Sequence, residues 1–260
     1  MVRDTRFKPL NPKQLTHFIQ DIRRTLSIED LKLLKEGAHE FGVELSENQI
    51  SLFALFLDGL CSWNRRMNLT GISERREMMI KLLLDPLVAL QYLLARGTVF
   101  DVGSGAGIPG FPFKIARQEL EVHLLESKAK KVSFLRNMIR TLGLTRIAAY
   151  QGRAEKRFTP SGLFPSYDVV TARALAPLKK TIRICSPYLK QGSLLVTFKG
   201  SKVNQEIQDS ERLLDELHVR VSKKISYRLP ETAGSRYLVI LKKETNQIRR
   251  RGCGSSYQRM

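Results

Sequence analysis

The chain has little from which to build a disulfide framework or a metal centre. Its three cysteines, Cys61, Cys185 and Cys253, stand far apart, with no CxxC pair and no spacing shared with a histidine. That pattern argues against a zinc site and a bridged scaffold and leaves reduced thiols as the expectation. Histidine is scarce as well: His17, His39, His123 and His218 are scattered, none with a ligand-like partner at helical spacing, so surface or packing roles and no metal are expected. No run approaches the roughly 18 to 20 consecutive apolar residues of a bilayer span, and the N-terminus lacks the charged-then-apolar pattern of a secretory leader. A soluble, cytoplasmic protein with no membrane partner is the expectation. Acid is the scarcest charge, with 25 Asp and Glu against 44 Lys and Arg, a formal net charge of +19. This exceeds what solubility requires and has the sign that recruits phosphate backbones, so nucleic acid is the expected partner. Charge does not choose between RNA and DNA, and plain solubility or an anionic lipid surface are the alternatives.

What is present suits one α/β domain with an appendage: 260 residues, 42% of them apolar. Residues 1–45 read as an N-terminal extension, partly helical, in which the polar first forty residues carry Pro9 and Pro12 before an amphipathic stretch at Ile28, Leu31, Leu33 and Leu34. Loose attachment is expected of it. Ser46 and Gln49 then form a capping box ahead of an apolar stripe at Ile50, Phe53, Ala54, Leu57 and Leu60, which predicts a helix running toward Trp63. A second helical segment is expected over Arg75 to Leu94, broken at Gly97. Strands and helices alternate from there, with strands read at Val99–Val102, Glu121–Leu125, Arg146–Tyr150, Tyr167–Ala172 and Ser193–Phe198. The helix after the second strand carries Val132, Leu135, Ile139 and Leu142 at steps of three and four, and Gly143 stands where a left-handed cap belongs. Val219–Arg228 and Tyr237–Leu241 read as two consecutive strands joined by Pro230 to Ser235, and with no helix between them they must pair antiparallel. Residues 46–242 thus form a helical lead-in and a mostly parallel seven-stranded sheet closed by an antiparallel C-terminal strand, a Rossmann-like arrangement typical of class I methyltransferases. Residues 243–260 read as a basic, disordered tail, with Lys243, Arg249, Arg250, Arg251 and Arg259 against Glu244. Added affinity for RNA, or solubility alone, would explain it.

The segment with chemical content is Phe100-Asp101-Val102-Gly103-Ser104-Gly105-Ala106-Gly107-Ile108-Pro109-Gly110, between the first strand and a helix. Glycines let the backbone turn sharply and approach a ligand, a helix N-terminus offers free amides, and Pro109 suits a first helical turn. Gly105, Gly107 and Gly110 also satisfy GxGxxG, a weak signal for a dinucleotide. Asp101, two residues before the first glycine, tips the choice: a carboxylate would repel a pyrophosphate but suits a ligand with a cationic amino acid moiety. Glu126, ending the second strand, is placed to accept both hydroxyls of a ribose, which either ligand would present.

With these segments the sequence resembles the ribosomal RNA small subunit methyltransferase G family, also called glucose-inhibited division protein B, over about Ser46 to Lys242. The resemblance rests on the glycine turn together with WNRRMNLTGI (Trp63 to Ile72), LLESKAKKVSFLRNM (Leu124 to Met138), GRAE (Gly152 to Glu155), YDVVTARALAPL (Tyr167 to Leu178), Lys199-Gly200 and the Arg236-Tyr-Leu-Val-Ile run, in that order. It implies transfer of a methyl group from S-adenosylmethionine to N7 of a guanine in 16S ribosomal RNA, as naked RNA or in the small ribosomal subunit, by a monomer. Carried onto matching positions, the cofactor residues are Gly103 and Ile108 in the turn, Ala154 and Glu155 after the third strand, and Arg173 after the fourth, with Glu126 joining them on the ribose argument. Ala154 and Glu155 would meet the adenine, and Arg173 a cofactor carboxylate or an RNA phosphate, with a structural salt bridge as the plainer role for Arg173. Guanine N7 exposes a lone pair, so no catalytic base is assigned. Trp63, Asn64 and Asn68 could meet RNA or simply pack a helix on the sheet, and Lys128, Lys130, Lys131 and Arg136 could face phosphate or solvent.

The chain departs from the family where many members place a histidine followed by Leu-Asp-Ser; here the run is Leu82-Leu83-Leu84-Asp85-Pro86. Three rivals stand beside the main reading. A non-catalytic RNA-binding assembly factor retaining the nucleotide fold would bind no S-adenosylmethionine. A protein or small-molecule methyltransferase has little use for so large a positive charge. An NAD-dependent oxidoreductase is disfavoured by Asp101.

Overall fold

The structure, a computed structural model, describes residues 27–156 and 166–244. Its centre is a seven-stranded sheet of β1 (Gly97–Val102), β2 (Leu120–Glu126), β3 (Ile147–Gln151), β4 (Tyr167–Arg173), β5 (Leu189–Lys199), β6 (Val219–Tyr227) and β7 (Arg236–Lys243), in spatial order β3-β2-β1-β4-β5-β7-β6. The first five pair in parallel, and β7 runs antiparallel to both β5 and β6. This is the Rossmann-like sheet expected from the alternation of strands and helices. A strand covered on both faces carries apolar residues toward both, and β1 does so: Val99 faces one core, while Phe100 turns to the other and stacks on Tyr167 at 4.7 Å.

On the Val99 face lie α1 (Ile28–Glu40), α2 (Glu47–Met67), α3 (Arg75–Met78), a π-helical segment (Met79–Leu84), α4 (Asp85–Leu87), α5 (Gly110–Ala116) and α6 (Ala129–Thr141). The opposite face carries α7 (Leu178–Cys185), α8 (Val203–Gln208) and α9 (Glu211–Glu216). The capping box forms as the sequence predicts: Ser46 Oγ accepts from the Gln49 amide at 3.3 Å, and Gln49 Oε1 accepts from the Ser46 amide at 2.8 Å. Such a cap is worth about 1 kcal/mol. Gln49 also donates through Nε2 to the carbonyls of Ile115 and Ala116 at 3.2 and 2.9 Å, satisfying the end of α5 and fixing the lead-in helix to the helix that follows the glycine turn. Gly143 caps α6 at φ +60°, and Phe56 packs on Phe111 at 4.7 Å between ring centroids.

Three local expectations need correction. The segment Arg75 to Leu94 is not one α-helix: it passes through the π-helical segment and ends in a 3-10 turn at Leu90–Tyr92. Residues Met78 to Leu90 are almost all buried, so they show no polar face from which a period could be read. The stretch before Ser46 is not loosely attached from Ile28 onward, because Leu34 and Ala38 are fully buried and join the core of the sheet domain. Pro109 precedes α5 as its cap rather than lying inside the first turn. Residues 1–26, 157–165 and 245–260, with His17, Cys253 and the basic tail beyond Glu244, lie outside the described residues, whereas Lys243, read as the start of that tail, ends β7. Among the described residues no helix is long and apolar enough to cross a membrane.

Candidate functional site

In a parallel sheet, ligands bind beyond the carboxyl ends of the strands where the strand order reverses. Here that point lies between β1 and β4, and every residue singled out for the site stands at this edge. Gly103 follows β1, Glu126 ends β2, Ala154 and Glu155 follow β3, and Arg173 ends β4.

The glycine turn is latched to the neighbouring strand, since the amides of Gly103 and Ser104 both donate to the Leu125 carbonyl at 2.8 and 2.9 Å. Gly103 sits at φ +71°, where a side chain would strain the backbone and its Cβ would lie 2.7 Å from Leu175 Cδ1. Glu126 reaches across from β2: Oε2 accepts from the Gly105 amide at 3.0 Å and Oε1 from the Lys128 amide at 2.8 Å. It is buried, so one carboxylate organises the turn and the start of α6 together. Ile108 is buried behind the turn, its amide donating to the Ser104 carbonyl at 3.1 Å.

Asp101 stands out electrostatically. It is fully buried; Oδ2 accepts only a long 3.3 Å bond from the Gly110 amide, and Oδ1 has no hydrogen-bond partner among the described residues. Burial pushes its carboxyl up to about 7, against the counteracting pull of Arg173 among other groups. A buried, unsatisfied acceptor is costly unless something completes it, and a cationic amino group would do so. The site therefore fits a ligand that carries an ammonium and a ribose: an orphaned acid under the turn, a second acid at the adjacent strand tip, and a turn that glycine keeps open.

Ala154 is buried and its carbonyl accepts from the Tyr188 hydroxyl at 2.9 Å, whereas Glu155 beside it is exposed. Both border a cavity of about 590 Å³ shared with Lys179, Lys180 and Arg183 of α7. The GRAE segment is held in place by the Gly152 amide, which donates to the Glu126 carbonyl at 3.0 Å.

Arg173 takes the plainer of its two anticipated roles as far as its contacts go. Its Nε and Nη2 donate to Asp85 Oδ2 at 3.2 and 3.0 Å, and Nη2 also donates to the Lys81 carbonyl at 2.7 Å within the π-helical segment. Asp85 is the residue that sequence reasoning missed. Fully buried, it also accepts from Tyr227 at 2.5 Å and from Arg236 at 3.3 Å, tying α4, β4 and the β6–β7 hairpin to one carboxylate. Its only signal in the sequence was an acid in an otherwise apolar run, Leu82 to Leu87, where an unpaired charge could not be buried. Leu82, the departure from the family pattern, is itself buried two residues after the π segment's Ile80.

Trp63 packs edge-on against Phe134 at 5.6 Å, and Asn64 fixes the following loop by accepting from the Thr70 amide and donating to the Ile72 carbonyl, both at 2.8 Å. Of the basic strip, Lys128 and Lys130 are exposed, Lys131 donates to the Leu69 carbonyl at 3.1 Å, and Arg136 donates to the Ala149 carbonyl at 3.2 Å. Buried His123 meets the Tyr167 hydroxyl at 2.9 Å, a packing role.

Comparison with known proteins bears on the fold and the family. A crystal structure of a methyltransferase from Pyrococcus furiosus, 13% identical, superposes with a TM-score of 0.50 over 74% of this chain and 98% of that one, a likeness of fold. Curated relatives named ribosomal RNA small subunit methyltransferase G are closer in sequence: that of Lachnoclostridium phytofermentans is 36% identical over 80% of this chain and 87% of its own length. Its counterpart in Alkaliphilus metalliredigens is 35% identical over 83% and 91%. The family model described as rRNA small subunit methyltransferase G matches residues 49–230, which include the glycine turn, both acids and Arg173. The chain belongs to the rRNA small subunit methyltransferase G family.

Proposed function

We propose that this chain transfers the methyl group of S-adenosylmethionine to N7 of a guanine in 16S ribosomal RNA. The observation that carries the proposal is the buried Asp101 with its unpartnered oxygen, set beside Glu126 around a glycine-kept opening. S-adenosylmethionine supplies an electrophilic methyl on a sulfonium; the residues of the chain bind and orient. Asp101 receives the positive amino acid end. Glu126 exchanges its bonds to the Gly105 and Lys128 amides for the ribose hydroxyls, or shares them. Gly103 and Ile108 form the wall of the turn, Ala154 and Glu155 meet the adenine, and Arg173 closes the side toward β4. No side chain needs to remove a proton before bond formation, because N7 attacks through its own lone pair. Rate enhancement then rests on holding nucleophile and methyl in line in a site from which water is displaced. The net charge of +19 supports RNA as the partner, and the family's name points the same way. A monomer acting in the cytoplasm completes the reading.

The test is calorimetry with S-adenosylmethionine followed by labelling of small-subunit RNA with methyl-tritiated cofactor. Binding and one labelled guanine are expected in the wild type, and loss of both in Gly103→Asp. Retention of full labelling by that variant would refute the assignment of the site; RNA binding without any cofactor binding would leave a non-catalytic assembly factor.

A further inference from the structure

A second cavity, of about 720 Å³, opens between the end of α2, the loop after it and α6. Its size is that of a small-molecule or nucleotide site, about 300 to 1,000 Å³. We propose that it seats the ribose–phosphate backbone of the RNA strand next to the target guanine, with Arg65 as the principal phosphate contact; the inference rests on the methyl-transfer reading above. Arg65, Arg75 and Lys131 line the cavity and no carboxylate does. Arg75 is held by Asp58 at 2.6 Å, and Lys131 spends one donor on the Leu69 carbonyl at 3.1 Å. Arg65 is exposed and pairs with no acid among the described residues, so its planar fork is available to a phosphate.

The wall is fixed rather than incidental. Both ends of the Asn64 amide are committed to the Thr70 amide and the Ile72 carbonyl, Asn68 turns the chain at φ +48°, and Trp63 anchors the helix on Phe134. The run Trp63 to Ile72 thus reads as a mount: it holds Arg65 at the cavity while Asn64 and the Thr70 hydroxyl, which accepts from the Ile72 amide at 3.2 Å, secure the loop. Lys131 connects the cavity to the cofactor side, because its Nζ lies 3.9 Å from where a Cβ on Gly105 would stand. A strand lying in the cavity therefore passes directly beside the glycine turn.

The experiment compares wild type, Arg65→Ala, Arg65→Glu and Arg65→Lys, all changes at an exposed helix position that leave the core untouched. RNA affinity is read by fluorescence anisotropy on a 16S fragment between about 50 and 200 mM salt, and cofactor affinity by calorimetry. Arg65→Ala is expected to weaken RNA binding roughly tenfold and to lower the salt slope by about 1, Arg65→Glu to weaken it further, and Arg65→Lys to fall between. Cofactor affinity should stay at the wild-type value throughout. RNA affinity and salt slope unchanged in both Arg65→Ala and Arg65→Glu would overturn the proposal, as would a loss of cofactor affinity equal to the loss of RNA affinity. RNA binding is measured directly, so a wild type indifferent to S-adenosylmethionine would sink the methyl-transfer reading while the Arg65 series still decided the role of the cavity.

Discussion

Replacing Asp85 should damage this protein more than replacing any other single charged residue at the sheet's carboxyl edge. The carboxylate is fully buried and accepts four hydrogen bonds, two from Arg173 at 3.2 and 3.0 Å, one from Arg236 at 3.3 Å and one from Tyr227 at 2.5 Å. Removing one partner of a buried ion pair costs about 3 to 5 kcal/mol, because the other charge is left without compensation. Two guanidinium groups are stranded here, yet the side chains of Arg173 and Arg236 keep 16% and 31% of their exposure, so water recovers part of the loss. The lower end, about 3 kcal/mol, applies to Asp85→Ala. Asp85→Asn retains the shape and one neutral acceptor and should cost about 2 kcal/mol. At about 2 to 4 °C per kcal/mol for a domain of this size, Asp85→Ala lowers Tm by roughly 6 to 12 °C. Urea unfolding followed through Trp63, the chain's single tryptophan, gives the free energy, and a double-mutant cycle with Arg173→Ala gives the coupling. A loss below about 1 kcal/mol for Asp85→Ala, or a coupling indistinguishable from zero, would refute the view of Asp85 as the hub of an ion network.

Three further outcomes follow from the glycine turn and its acids. Asp101 has a folded-state value of about 7, raised by burial from an unfolded value of about 4, so the folded chain holds a proton that the unfolded chain has released. Its contribution to stability therefore falls as pH rises from about 4 to 7 and is level above that, whereas affinity for S-adenosylmethionine rises through pH 7; denaturant titrations and calorimetry across that range should show both slopes, and Asp101→Asn should abolish them. Gly107→Ala places a Cβ 2.2 Å from the buried Phe111 ring at φ +81° and should cost about 2 to 4 kcal/mol of stability, whereas Gly105→Ala, at φ +58° with nothing nearer than 3.9 Å, should cost only about 1. Gly105→Ala should nonetheless lower cofactor affinity at least about tenfold, since its methyl enters the space the ligand needs; wild-type affinity in that variant would show the ligand to lie elsewhere. Glu126→Gln keeps the reach but loses the charge-assisted bonds, and calorimetry should find binding roughly 10- to 100-fold weaker.

Much of the architecture is legible because it is written locally. Val99 to Val102 and Tyr167 to Ala172 are mostly apolar, as strands covered on both faces are, with Asp101 breaking the first run and Asp168 and Thr171 the second, and the helix after β2 shows its buried face at Val132, Leu135 and Met138. The same principle hides the docking of α1, whose amphipathic stretch is visible, and the π-helical segment. Helix α1 docks through Leu34, Gly37 and Ala38, where small residues let the backbone approach, and a Cβ on Gly37 would meet Leu84 at 2.8 Å; Gly37 adds nothing to an apolar stripe and Ala38 little. In Met79 to Leu84 nearly every residue is buried, so there is no contrast from which to read a period. At the site, the glycine turn, Asp101 and Glu126 are visible because a turn's requirements fall on adjacent residues. Asp85 is not, because its partners lie 88, 142 and 151 positions away. That separation gives the antiparallel hairpin a role besides closing the sheet. Tyr227 ends β6 and Arg236 begins β7, so the hairpin delivers two donors to the carboxylate that holds Arg173, and the π-helical segment delivers the Lys81 carbonyl to the same guanidinium. The orientation of the arginine at the point where the strand order reverses is therefore set by elements remote from the turn, and changes in the hairpin should reach the cofactor site through Asp85 rather than through the sheet.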